Sequence, residues 1–175
     1  GGKEPLCFIT ASPLLTYPDA YYTHGVGAIT YEGERLMPSC KTGNLLLNYM
    51  ALEKARGSGG FEALLIDRKG QALEGTRSNF FAFRDGRLYT AKDEDVLLGV
   101  TRERVIQAAK VLGIEVVYQA PQAKDLQQGL YDELFISATS MAAMPLSSLD
   151  GKAYKPPFDR TNAISALVRS WELET

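Results

Sequence analysis

A single mixed α/β (α+β) domain in which antiparallel strands dominate is the fold that this sequence predicts, and three features predict it. The chain has 175 residues, 45% of them hydrophobic, enough for one compact domain with a substantial core. Between residues 61 and 90, short apolar runs are broken by Asp67-Arg68-Lys69-Gly70 and Arg84-Asp85-Gly86, the turn punctuation of an antiparallel meander. Elsewhere apolar residues recur at helical spacing in separate stretches.

Taken in order, residues 6–11 and 25–31 are rich in β-branched or aromatic side chains, which predicts two strands joined by a loop holding Pro13, Pro18 and Asp19. After Lys41-Thr42-Gly43, Asn44 is placed to cap a helix in which Leu45, Tyr49, Leu52 and Glu53 recur at helical spacing, and Gly57, Gly59 and Gly60 end it. Lys41 therefore falls at a strand-to-helix junction. The meander follows. Thr101 then opens an amphipathic helix with Val105, Ile106, Ala109 and Leu112 on one face, stopped by Gly113. A strand is predicted over residues 114–118, a short polar helix over 123–128 and a strand over 133–137. A last helix over residues 161–172 turns Ile164, Leu167, Val168 and Trp171 inward. No internal repeat and no linker divides the chain, so residues 1–175 read as one domain.

Composition narrows the partners. The formal net charge is -2, so no basic excess supports a nucleic-acid or anionic-membrane surface, and small molecules are the expected partners. Cys7 and Cys40 are too few for a disulfide framework and stand in no paired metal-ligand spacing, so no metal is expected and a reducing cytoplasm fits. No apolar run reaches the roughly 18 residues of a membrane span. The Gly1-Gly2-Lys3-Glu4 start has no apolar signal core, which completes the expectation of a soluble, cytoplasmic protein.

Four places could carry chemistry. Most lysines are solvated surface charges, but Lys41 lies between an apolar strand and a Gly-Asn helix start, where rigid backbone can fix and desolvate a nucleophilic amine. Glu74 follows Ala72-Leu73 and precedes a glycine, at a strand end, where it either faces water or serves a site. Leu98-Gly99-Val100-Thr101 combines a glycine approach, free N–H groups, a hydroxyl and the positive end of a helix dipole, the parts of a phosphate site as well as of an ordinary Thr cap. Ser137-Ala138-Thr139-Ser140 ends a strand in hydroxyls and small residues, suited to an anion or simply to a polar loop. His24 has no triad or metal partner in evident spacing and reads as structural or exposed. Cys40, beside Lys41 on an alternating strand, reads as core, and Tyr21, Tyr22 and Trp171 read as packing or interface residues.

Each motif alone is weak, but their order and separation are specific. Lys41-Thr42-Gly43-Asn44-Leu45-Leu46, Glu74-Gly75-Thr76-Arg77-Ser78-Asn79-Phe80-Phe81, Leu97-Leu98-Gly99-Val100-Thr101-Arg102 and Asp132-Glu133-Leu134-Phe135-Ile136-Ser137-Ala138-Thr139-Ser140 together resemble the fold-type IV pyridoxal-phosphate (PLP) enzymes. That family includes branched-chain and D-amino-acid aminotransferases and aminodeoxychorismate lyases, and the resemblance covers roughly residues 23–150. It implies the antiparallel-rich pseudo-barrel of the family's large C-terminal domain. It implies PLP as cofactor, Lys41 as the Schiff-base lysine and base, and Glu74 at the pyridine nitrogen, where a carboxylate keeps the ring protonated and electron-withdrawing. Leu97 would pack on the ring. Val100, Thr101 and Thr139 would hold the phosphate, and the turn at Thr139, Ser140 and Met141 would lie near the substrate carboxylate.

Two departures stand out. Arg77 is bulky and charged where relatives often carry a small residue; it either points away or reaches a substrate acid group. Relatives also carry a smaller N-terminal domain with an arginine on the phosphate, so the expectation here is a fragment without it, binding PLP weakly. Amino-acid and 2-oxo-acid substrates and a homodimer are the implied partners. The rivals are a PLP lyase on the same Lys41 and Glu74, which product analysis separates, and a catalytically silent dimerisation or binding module, which cofactor titration separates.

Overall fold

The structure, a computed structural model, describes residues 7–13 and 15–173. The strands are β1 (Val26–Glu32), β2 (Glu62–Ile66), β3 (Ala72–Gly75), β4 (Asn79–Arg84), β5 (Arg87–Thr90), β6 (Val116–Tyr118), β7 (Glu133–Ala138), β8 (Ala142–Leu149) and β9 (Lys152–Ala153). Helices α1 (Asp19–His24), α2 (Leu46–Gly57), α3 (Val100–Val111), α4 (Ala123–Gln128) and α5 (Asp159–Leu173) alternate with them. All the strands form one nine-stranded sheet. Along the path β3–β2–β1–β8–β7–β4 the sheet curls round, and the pairing of β3 with β4 closes it into a barrel. Strands β5 and β6 extend from β4, and β9 hangs on β8.

Period-two alternation explains how the chain fills this architecture. On β4, Phe80 and Ala82 join a core cluster with Leu134 and Ile136 of β7 and Leu64 of β2, while Phe81 and Phe83 face Val105 of α3 and Ile164 of α5 in a second cluster. On β2 the other parity, Ala63 and Leu65, packs on Ala51 and Ala55 of α2. Barrel strands are thus apolar on both faces, which is why they read as short continuous runs. Phe81 stacks on Phe135 with ring centroids 4.9 Å apart, an arrangement worth about 1 kcal/mol beyond its buried area.

The meander from β2 to β5 is antiparallel, as predicted. Three ladders are not: β1 lies parallel to both β2 and β8, and β5 parallel to β6. Residues 7–11 form no strand and are exposed, because no strand pairs with them; Leu6 lies outside the described residues. α1, β8 and β9 were not foreseen. α2 begins at Leu46 with Leu45 at the cap position, so Asn44 does not cap it, and Leu45 and Tyr49 are exposed. α3 begins one residue earlier than predicted, at Val100, and the strand predicted over 114–118 shortens to β6. His24 is exposed at the end of α1. Cys40 sits half-buried in a loop, not on a strand, so it belongs to no core cluster.

Candidate active site

Glu74 stands one residue before the end of β3 at the barrel seam, where it pairs with Asn79 of β4. Its carboxylate is buried, accepts a hydrogen bond from the Leu97 N–H (3.2 Å) and meets the Arg35 guanidinium at 3.4 Å. Burial pushes the Glu74 carboxyl above its ordinary value, while the Leu97 N–H and Arg35 pull the other way. The adjoining turn rests on a second carboxylate, Glu62, which is fully buried. Glu62 accepts the Thr76 N–H (3.1 Å), the Thr76 hydroxyl (2.5 Å) and the Ser78 hydroxyl (3.0 Å). Gly75 leaves this layer no room for a side chain: a Cβ there would stand 2.2 Å from Ser78 Oγ and 3.0 Å from the Glu62 carboxyl.

Opposite this wall runs the loop between β1 and α2, which carries Lys41, an exposed residue. Arg35 Nη1 donates to the Pro38 carbonyl (3.0 Å) and Nη2 to the Cys40 carbonyl, so the residue before Lys41 is held by the same guanidinium that meets Glu74. Asn48 of α2 donates to the Thr76 carbonyl and ties the helix to the turn. A third contribution comes from the start of α3, where the first-turn N–H groups lack intrahelical acceptors.

These elements enclose a cavity of about 330 Å³, and Lys41, Glu74, Leu97, Val100, Thr101 and Thr139 all line it. Arg77 lines it as well, with its Nε 4.0 Å from Glu62 and its guanidinium over the Phe61 ring at 5.1 Å. Ser140 and Met141 do not. They line a neighbouring cavity of about 420 Å³ that shares only Thr139 with the first, and the Met141 side chain is buried in the barrel core. A larger cavity of about 530 Å³ adjoins across Arg35, Thr42 and Asn48, but it is walled by Leu36, Met37, Leu46 and Met50 and holds neither Lys41 nor Glu74. Sequence reasoning missed Arg35 and Glu62, whereas the hydroxyl of Ser137 was within the strand end it singled out. A carboxylate opening the apolar run Glu62-Ala63-Leu64-Leu65-Ile66 was the visible signal for Glu62; Arg35 offered none.

Comparison with known proteins decides the family. The family model for amino-transferase class IV matches residues 2–149. The chain belongs to the class IV aminotransferases. Among curated relatives, this class IV chain is 37% identical over 164 residues to the branched-chain-amino-acid aminotransferase of Escherichia coli K12, covering 86% of the chain and 52% of the relative. It is 35% identical over 137 residues to the D-alanine aminotransferase of Bacillus licheniformis, covering 77% and 47%. A solved branched-chain amino acid aminotransferase from Thermobaculum terrenum, in its PLP form, superposes with a TM-score of 0.80 at 26% identity, covering 91% of this chain and 54% of that one. The E. coli branched-chain enzyme superposes with a TM-score of 0.76 at 27% identity, covering 93% and 55%. The chain thus spans about half the length of the relatives it matches. These likenesses confirm the mixed α/β barrel of fold type IV.

The cavity's donor set suits the cofactor that the family implies. Ser137 Oγ is buried and without a hydrogen-bond partner among the described residues, yet Ser137 lines the cavity, so a polar ligand would satisfy it. Thr101, Thr139 and the α3 start match a phosphate, Glu74 a protonated ring nitrogen and Lys41 an aldehyde carbon. Among the described residues no group of three His, Cys, Asp or Glu could hold a metal, and no helix is long and apolar enough to cross a membrane.

Proposed function

We propose that this chain is the cofactor-binding, catalytic-lysine part of a PLP-dependent enzyme that transfers an amino group between an amino acid and a 2-oxo acid, with Lys41 as the Schiff-base lysine. One observation carries the reading: four separated motifs place Lys41, Glu74, Leu97, Val100, Thr101 and Thr139 on a single cavity. The whole chain is read as one such domain.

Bound there, PLP would supply an electron sink conjugated to the substrate α-carbon. The chain's residues do the rest. Glu74 would accept the ring N–H from a buried position; burial raises its carboxyl, while Arg35 and the Leu97 N–H pull the other way, toward the carboxylate. Val100 and Thr101, at the positive end of α3, and Thr139 would hold the phosphate, and Leu97 would pack on the ring. Lys41, its amine free once a substrate amine has taken its place, would act as the base at the substrate α-carbon. Arg77, on the cavity, is assigned to a substrate acid group, and the turn at Thr139, Ser140 and Met141 is assigned to lie near the substrate carboxylate through its backbone, since Ser140 and Met141 line the neighbouring cavity. A cytoplasmic homodimer is the proposed working form; the exposed Leu36, Met37, Leu46 and Tyr49 support a covering partner surface.

The test uses the protein with whatever sequence flanks this chain in its gene. Borohydride should fix PLP covalently to Lys41, and Lys41→Ala should abolish that adduct. Peptide mapping that finds the cofactor on Lys54, Lys69 or Lys110 overturns the assignment. With a 2-oxo acid as acceptor, stoichiometric amino transfer separates the aminotransferase from a lyase.

A further inference from the structure

The two groups on which the proposed chemistry depends sit on different kinds of backbone. Glu74 belongs to a strand, whereas Lys41 belongs to a loop in which residues 33–45 have no helix or strand. Gly33 N–H ties the start of the loop to the Ile66 carbonyl of β2 (2.9 Å), but beyond it the loop's backbone bonds are local: Cys40 N–H to the Met37 carbonyl at 3.1 Å and Thr42 N–H to the Cys40 carbonyl at 3.0 Å. Such bonds shape turns but do not anchor them to the barrel. Arg68 reaches Glu34 at 3.5 Å, but that pair is solvent-exposed and worth little.

Arg35 is different in kind. Its side chain is only 15% exposed. One nitrogen donates to Pro38 (3.0 Å) and meets Glu74 (3.4 Å), and the other donates to Cys40, the residue that precedes Lys41. A guanidinium is the one side chain with planar, fixed donors able to serve two backbone carbonyls and a carboxylate at once; an ammonium is a point charge that can replace the charge without the span. We propose that Arg35 is the positioning residue that holds the lysine loop and the Glu74 carboxylate in one geometry. The inference rests on the proposed function, since it assigns Arg35 its purpose through Lys41 and Glu74. It adds that the relative placement of these two groups is set by a single side chain, and that this side chain touches the cavity without entering the chemistry.

The experiment needs no cofactor, so its failure is distinct from failure of the borohydride test. Hydrogen–deuterium exchange is read on peptides spanning residues 37–45 and, as an internal control, on β7 and β8. Glu74 is followed by carbon NMR of its side-chain carboxyl against pH. In Arg35→Met, exchange across residues 37–45 should rise about tenfold, as expected when hydrogen bonds to a charged donor are lost. Exchange in β7 and β8 should stay unchanged, and the Glu74 carboxyl should titrate at higher pH than in wild type. Arg35→Lys should restore the Glu74 titration, because the charge returns, but not the slow exchange of the loop, because the span does not. Wild-type exchange in the loop of Arg35→Met overturns the proposal. A uniform rise that includes β7 and β8 overturns it too, because Arg35 would then be stabilising the whole fold and positioning nothing.

Discussion

The cavity has two unlike walls. Glu74, Thr76, Ser78, Ser137 and Thr101 come from strand ends, the β3–β4 turn and a helix start, and are buried, with the turn fixed by the hydrogen bonds of Glu62. Across from them, residues 33–50 form a loop and the start of α2, where Leu36 is 91% exposed and Leu46 66% exposed. The first wall is rigid because the Glu62 and Glu74 carboxylates and the Thr76 and Ser78 donors are buried and hydrogen-bonded, so each is costly to move. Little burial holds the second wall, which leans on Arg35 and Asn48. Order in the site is therefore concentrated where the cofactor's ring and phosphate would rest, and the reactive amine stands on the softer side.

That contrast can be broken at its firm end first. Glu62→Ala removes the carboxylate beneath the turn and leaves the Thr76 and Ser78 donors without their acceptor. A stability loss of about 3–5 kcal/mol is expected in chemical denaturation; a loss below about 1 kcal/mol would mean that the turn holds itself. A smaller effect sharpens the comparison at the seam. Burial raises the Glu74 carboxyl in the folded state, so the native state favours its protonated form. That contribution is present below the unfolded carboxyl's value, about 4.3 for glutamate, and is lost as pH rises through the folded one. The stability of wild type relative to Glu74→Gln should therefore decline as pH rises through the carboxylate range, and a flat difference would remove burial as the dominant influence. The smallest effect belongs to the soft wall: Leu36→Ser should change the stability of this chain by no more than about 0.5 kcal/mol, measured in the same titrations.

The sequence disclosed whatever depends on local pattern. Val105 and Ala109 of α3 and Ile164 and Val168 of α5 repeat at helical spacing because one face of each helix is buried, and that repeat was readable. β8 was not, because Ala142, Ala143 and Pro145 lack strand character and Pro145 sits within a ladder opposite Phe135. Residues 8–10, Phe8-Ile9-Thr10, have strand composition but no neighbour to pair with, which composition does not reveal. At the site, the motif residues Lys41, Glu74, Thr101 and Thr139 were legible through their order, and the cavity gathers them. Arg35 was invisible because its role lies in a contact across 39 positions of chain. Ser140 and Met141 belonged to the right turn but lie on its other side.

Strand β1 lies between β2 and β8, and its ladder to β8 joins Val26 to Leu146. On a ribosome adding roughly 5–20 residues per second, β8 follows β1 after an interval on the order of ten seconds. Until β8 arrives, β1 has at most one neighbour, β2, and an open edge, the kind of surface that invites pairing with other nascent chains. Lys41, Glu74, Thr101 and Thr139 all precede Ala142, where β8 begins. Every residue assigned to the cofactor is therefore translated before the strand that completes the barrel, and the parts of the site await the last piece of their own scaffold.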